Sequence, residues 1–136
     1  MGMKFPPQIL IADDDAQIRV LIEGLVKRTL PDARITAVEN GRKALEHFKK
    51  HGADLVISNF IMPEMDGPTF VASLREMRQD LPVIMVSGSP EAEPRGRAAG
   101  IDVFVDKLEL MKRLPCAIKT LLEPHGLACP GPSPSG

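Results

Sequence analysis

The chain has 136 residues, 43% of them apolar and 26% charged, which suits one domain able to bury a core without a disulfide or metal staple. A net charge of −1 argues against a broad basic face for nucleic acid, and the lack of Tyr and Trp argues against a base-stacking platform. No apolar run reaches the ~20 residues of a bilayer span, and the N-terminus lacks a signal-peptide core, so a cytoplasmic location is expected. Cys116 and Cys129 are too few and too poorly spaced for a disulfide framework or a zinc site, and read as a reduced intracellular protein.

In chain order, Gln8 to Ala12 is a short apolar run that predicts a strand, followed by Asp13, Asp14 and Asp15. Ile18, Leu21, Ile22, Leu25 and Val26 recur at helical spacing, with Asp15 as N-cap and Pro31 as stop. Arg34 to Val38 predicts a second strand. Asn40-Gly41 marks a turn, and Ala44, Leu45 and Phe48 mark one face of a second helix. Leu55 to Ser58 predicts a third strand, ending at Asn59. The loop Pro63 to Gly67 leads to a helix with Pro68 at its first position and Phe70, Leu74 and Met77 as its buried face. Pro82 to Val86 and Ile101 to Val105 predict strands four and five. Between them two prolines and a glycine predict only a short helix, Arg95 to Ala99, or a loop. Leu114, Ala117, Ile118, Leu121 and Leu122 predict a last helix with Pro115 in its first turn. Residues 1–7 read as an N-terminal extension, 8–123 as the domain, and the Pro-, Gly- and Ser-rich stretch 124–136 as a disordered tail or linker.

Five strand–helix units with continuous Val- and Ile-rich strands predict an α/β fold, a parallel sheet covered on both faces. In such sheets ligands bind beyond the carboxyl ends of the strands. Asp13 and Asp14, Asn59, Ser87 and Lys107 all follow apolar strands, which predicts one shared site. Adjacent acids before a helix would alone be read as capping; together with an amide, a hydroxyl and an amine they suit a phosphate and a hard cation such as magnesium. His47 and His51, four apart, read as a solvated helix face rather than a metal pair, and Met62, Met65, Met77 and Met85 as filler. Arg75, Arg78, Arg95 and Arg97 are scattered and call for no ligand.

From about Ile9 to Leu122 the chain resembles the receiver domain of two-component response regulators. The resemblance rests on Ile9-Leu10-Ile11-Ala12-Asp13-Asp14-Asp15, Asn40-Gly41, the stretch Asp54 to Gly67 with Met62-Pro63 and Met65-Asp66-Gly67, Pro82 to Gly88, and Ala99 to Lys107. It implies a flavodoxin-like three-layer sandwich with five parallel strands in the order 2-1-3-4-5, an order for which the family is itself a standard example. Carried over by residue, it implies that Asp14 binds magnesium directly, Asp13 largely through water, and Ile61 through its backbone carbonyl. Position 59 is the phosphoacceptor and part of the metal site, Ser87 the switch hydroxyl, Lys107 the lysine that pairs with the acceptor, and Phe104 the switch aromatic. The implied partners are a histidine kinase or phosphotransfer protein, and a downstream protein or a second copy meeting the face of helix 4, strand 5 and helix 5. Neither direct nucleic-acid binding nor membrane insertion is expected.

Two residues depart from the family pattern. Leu108 follows Lys107 where the family has a cis proline. A cis bond before a non-proline costs ~3 kcal/mol, which predicts a trans peptide and a looser loop. Asn59 stands where the family has aspartate. An acyl phosphate needs a carboxylate nucleophile, so the chain as written is expected not to accept phosphate there, and not to catalyse the self-phosphorylation and dephosphorylation that are the family's only enzymatic acts. One carboxylate fewer relieves ~1 kcal/mol of repulsion in the metal-free site and weakens magnesium binding. Asn59 is either native, as in a pseudo-receiver, or an engineered phosphorylation-null change, and both stay open at this point. Two function classes follow: a phosphorelay receiver regulating a partner by contact, and an interaction or dimerisation module that works without phosphorylation. A flavodoxin-like nucleotide or flavin binder is disfavoured, because no Gly-rich phosphate loop follows strand one. About 29 residues follow Lys107, too few for a helix-turn-helix domain beyond the last helix.

Overall fold

The computed structural model describes residues 6–122. Most of the extension expected over 1–7, the tail expected over 124–136, and Cys129 lie outside the described residues. Five strands alternate with five helices: β1 (Gln8–Ala12), α1 (Ala16–Thr29), β2 (Arg34–Val38), α2 (Gly41–His51), β3 (Leu55–Asn59), α3 (Gly67–Met77), β4 (Val83–Ser87), α4 (Ala92–Ala99), β5 (Val103–Asp106) and α5 (Leu110–Leu122), with a 3-10 turn, Lys107–Glu109, between the last two. The sheet order is β2-β1-β3-β4-β5 and every pair is parallel. This is the expected flavodoxin-like sandwich.

The strands read as unbroken apolar runs because both faces are covered. All five residues of β3 and all five of β4 are buried. Side chains alternate between the faces. Leu10, Val56, Val83 and Met85 meet Phe48 of α2, Phe70 and Leu74 of α3 and Ala92 of α4. Ile9, Ile11, Ile57, Ile84 and Val86 meet Ile22, Leu25 and Val26 of α1 and Leu114, Ala117 and Ile118 of α5. Three helix starts are closed by the side chain before them. Asp15 accepts from Gln17 and Ile18 N–H, Asn40 from Lys43 N–H, and Asp66 from Thr69 N–H.

Several boundaries differ from expectation. α4 runs from Ala92, not Arg95. Pro94 is its third residue, where a missing N–H removes no intrahelical bond. α5 carries Pro115 at its sixth position rather than in the first turn. The lost bond is the one to the carbonyl of Met111, a residue 57% exposed, so water can serve that oxygen. Met77, expected inside, is 41% exposed at the last position of α3, and Leu21 is 37% exposed on α1. On α3 the buried face is completed instead by Val71, and on α1 the expected Ile22, Leu25 and Val26 are buried. Pro68 is the second, not the first, residue of α3. β3, β4 and β5 each end one residue later than expected, and β5 starts at Val103, so Asn59 and Ser87 are the last residues of their strands.

Candidate functional site

The C-terminal edge of the sheet brings the polar residues together in strand order. Ala12 pairs with Ser58, which sets Asp13 beside Asn59. Asn59 pairs with Val86, and Ser87 with Asp106, which sets Lys107 at the end of the same row. A shared rim is therefore built by β1, β3, β4 and β5, as expected from the strand-end residues.

Asp13 is wholly buried. Its backbone N–H donates to Val38 O (3.1 Å), and its carbonyl accepts from Arg19 Nη1 (2.9 Å). Oδ1 accepts from Asp15 N–H at 2.9 Å, whereas Oδ2 is buried without a hydrogen-bond partner among the described residues. Burial pushes the Asp13 carboxyl above the ordinary carboxylate range; the Asp15 N–H and the Lys107 charge pull it down, and Asp14 and Asp15 push it up. The Lys107 ammonium thus acts electrostatically on Asp13. Asp14 is the exposed member.

Asn59 is 6% exposed and joins two segments. Its Nδ2 donates to Asp14 Oδ1 at 3.1 Å and to the Ile61 carbonyl at 2.8 Å. The assignment of nitrogen follows from chemistry: a backbone carbonyl can only accept, so the side-chain atom facing it has to donate. Ser58 Oγ donates to the Asn59 carbonyl (2.8 Å), and Gly67 N–H donates to the Phe60 carbonyl (2.8 Å), closing the β3–α3 loop. Within that loop Glu64 adopts a left-handed φ of 67° and meets Arg42 at 3.2 Å.

Ser87 is buried, and its hydroxyl accepts from Ser89 N–H (3.0 Å), so it is engaged within the β4–α4 loop. Phe104 is half-buried against the cluster that α2, α3 and α4 share. The looser loop expected after Lys107 does not form. Residues 107–109 make a 3-10 turn, and Asp106 Oδ1 accepts from Leu108 N–H at 2.9 Å, a bond that a proline there could not make. Leu108 itself is 92% exposed.

The rim suits magnesium in its donor chemistry. Asp13, Asp14 and the Ile61 carbonyl offer hard oxygens, and Asp13 Oδ2 has spent nothing on a protein partner. The set is short of charge, however. Among the described residues no three His, Cys, Asp or Glu side chains gather to hold a metal, and position 59 contributes an amide rather than a third carboxylate. His47 and His51, with rings 4.7 Å apart, likewise find no third ligand. They line a cavity of about 280 Å³ with Gln8, Arg34 and Thr36, which lies at the strand starts, away from the rim.

Two residues missed in the sequence belong to the surroundings. Arg95 of α4 stacks its guanidinium 5.3 Å from the centre of the Phe60 ring, next to Asn59. Arg75 ties α3 to the start of β5. Neither contact has a sequence signal, since each joins residues far apart in the chain.

The comparisons agree with this fold. PrrA, a transcriptional regulatory protein of Mycobacterium bovis, is 28% identical over 122 residues, covering 88% of this chain and 52% of that protein. The chemotaxis protein CheY of Bacillus subtilis is 35% identical over 80 residues, covering 59% of this chain and 66% of CheY. The chain thus spans about half the length of relatives such as PrrA (52%). The signal receiver domain of a signal transduction histidine kinase from Syntrophus aciditrophicus superposes with a TM-score of 0.78 at 26% identity, covering 94% of this chain and 98% of that one. The receiver domain of the Francisella response regulator 1452 gives 0.77 at 25% identity, covering 88% and 99%. The family model described as the response regulator receiver domain matches residues 9–119, and the chain belongs to that family.

Proposed function

We propose that this chain is a two-component receiver domain whose acceptor position carries no nucleophile, so that it acts on a partner by protein contact without forming an aspartyl phosphate. The observation that carries this reading is Asn59 as the last residue of β3, held against Asp14 on the rim shared with Ser87 and Lys107. An amide oxygen is a poor nucleophile and yields no acyl phosphate.

The other roles follow from position. Asp13 and Asp14 with the Ile61 carbonyl would hold magnesium, which when bound would offset phosphate charge. Lys107 would supply a point charge and Ser87 a hydroxyl to a phosphoryl oxygen. Phe104, half-buried next to Val105, would report the state of the rim by its packing. With an aspartate at 59, the partner upstream would be a histidine kinase or phosphotransfer protein. Downstream, the face of α4, β5 and α5 would meet a protein target or a second copy, with exposed Leu108 in the turn between β5 and α5.

Acetyl phosphate with MgCl2 followed by intact mass tests the reading. The expected result is no phosphoryl gain on this chain and a gain of one phosphoryl group on Asn59→Asp. A gain on the Asn59 chain overturns it.

A further inference from the structure

We propose that the Asn59 carboxamide does the structural work of a cation: its single NH2 group cross-links Asp14 Oδ1 and the Ile61 carbonyl, holding the rim together without a divalent ion. This deepens the proposed function and rests on its assignment of Asp14 and Ile61 as metal ligands.

Both partners of Nδ2 are oxygens, at 3.1 and 2.8 Å. One belongs to the β1–α1 junction and the other to the β3–α3 loop, so the amide bridges two segments that β1 and β3 deliver to the rim. An ion between the same two oxygens would make the same bridge. The NH2 group is well matched to the task because it has two N–H donors, one for each acceptor. An aspartate in this position would turn an oxygen towards the Asp14 carboxylate and the Ile61 carbonyl. Three oxygens facing one another without a proton or cation repel. The same segments would then be held only once an ion was added.

A consequence concerns magnesium. For Asp14, the Ile61 carbonyl and position 59 to hold magnesium, both hydrogen bonds of Nδ2 would have to open and the amide would have to turn its Oδ1 towards the site. The site therefore begins from a satisfied state rather than an open one, and the fold draws little stability from the ion. The buried Asp13 Oδ2, without a partner among the described residues, keeps an oxygen available on the same rim, so binding is weakened rather than abolished.

Thermal melting in EDTA and in about 10 mM MgCl2, on the unaltered chain, Asn59→Asp and Asn59→Ala, tests the bridge. The unaltered chain is expected to melt within about 1 °C in the two buffers, and Asn59→Asp to melt lower in EDTA and to recover at least about 3 °C in MgCl2. Asn59→Ala removes the donors without adding charge, and is expected to melt below the unaltered chain in EDTA. A magnesium-induced rise in the unaltered chain as large as that of Asn59→Asp, or an Asn59→Ala variant that melts with it, overturns the proposal. Should Asn59→Asp fail to fold in EDTA, the side-chain NH2 resonances of Asn59 decide. Two separate, slowly exchanging N–H signals that stay in place on adding MgCl2 support the bridge, and rapidly exchanging signals overturn it. None of these readouts depends on phosphoryl transfer, so the bridge can fail while the mass result stands, and the reverse.

Discussion

Gly67 has no room for a side chain. A Cβ there would lie 2.3 Å from the Asn59 carbonyl oxygen and 3.0 Å from Phe60 Cα, both backbone atoms that cannot swing aside. Gly67→Ala therefore has to push the end of β3 away from the start of α3, and is expected to cost about 1–3 kcal/mol. Urea unfolding measures this, and a change under about 0.5 kcal/mol would show that the two backbones are not in tight contact. A second residue-scale expectation concerns His47. Partial burial lowers its pKa below the ordinary histidine value, and the neighbouring His51 adds to the effect. The unfolded chain then binds the proton more readily than the folded one. The contribution is in place above the unfolded value and is lost as pH falls through it towards the lower, folded value. His47→Gln should flatten the dependence of unfolding free energy on pH in this acidic window. The effect should be on the order of a few tenths of a kcal/mol, since water still reaches and screens a half-buried ring. Identical pH profiles for the two proteins would refute it.

At the scale of elements, one arginine fastens the edge of the sheet. Arg75 Nε donates to Gly100 O (2.9 Å), Nη1 to Leu81 O (2.7 Å) and Gln79 O (3.0 Å), and Nη2 to Asp102 Oδ2 (2.9 Å). Asp102 Oδ2 also accepts from Val83 N–H at 2.8 Å. The end of α3, the turn into β4, the end of α4 and the entry to β5 thus meet on one guanidinium. A lysine has a single charged centre and lacks the planar fork. Arg75→Lys is expected to cost about 1–3 kcal/mol, mostly from carbonyls left without a donor. Hydrogen exchange should quicken around Gly100 and Val83 before it does in β1. Unchanged protection at Gly100 would remove the fastening role. This residue also marks where sequence reading stops. The strands were legible because β3 opens with Leu-Val-Ile and β4 with Val-Ile-Met-Val, and strand-end polarity placed Asp13, Asp14, Asn59, Ser87 and Lys107 on one rim. Arg75 looked like one of several scattered charges, since its partners are carbonyls and a carboxylate brought in from other elements. Pro94 and Pro115 misled for a related reason. A proline's cost depends on whether its missing N–H had a partner and on what the orphaned carbonyl meets, and both are properties of the finished helix. The direction of the Asn59 amide was likewise hidden, because an asparagine at a strand end says nothing of whether its nitrogen or its oxygen faces the acids.

At the scale of the molecule, the sheet separates two cores that share no side chain. Leu74 of α3 is fully buried on one face, and Ile118 of α5 is fully buried on the other. Each strand serves both, since Ile57 faces α1 and α5 while its neighbour Val56 faces α2 and α3. Loss of one core would leave β3 with half its side chains in water, so neither core can hold the sheet alone, and unfolding should be a single cooperative transition. The truncations themselves should nonetheless be independent, because the two side chains touch different neighbours. Leu74→Ala is expected to cost about 2–5 kcal/mol and Ile118→Val about 0.5–1.5 kcal/mol. The double variant should equal their sum within about 0.5 kcal/mol in urea unfolding, with one transition by fluorescence-free probes such as far-UV circular dichroism. The two expectations bear on different claims. A shortfall well beyond that margin would mean that strain passes through the backbone of the sheet from one core to the other. Two resolved transitions would mean instead that one layer can open while the other stays folded, and the rim built by β1, β3, β4 and β5 would then owe its shape to one core only.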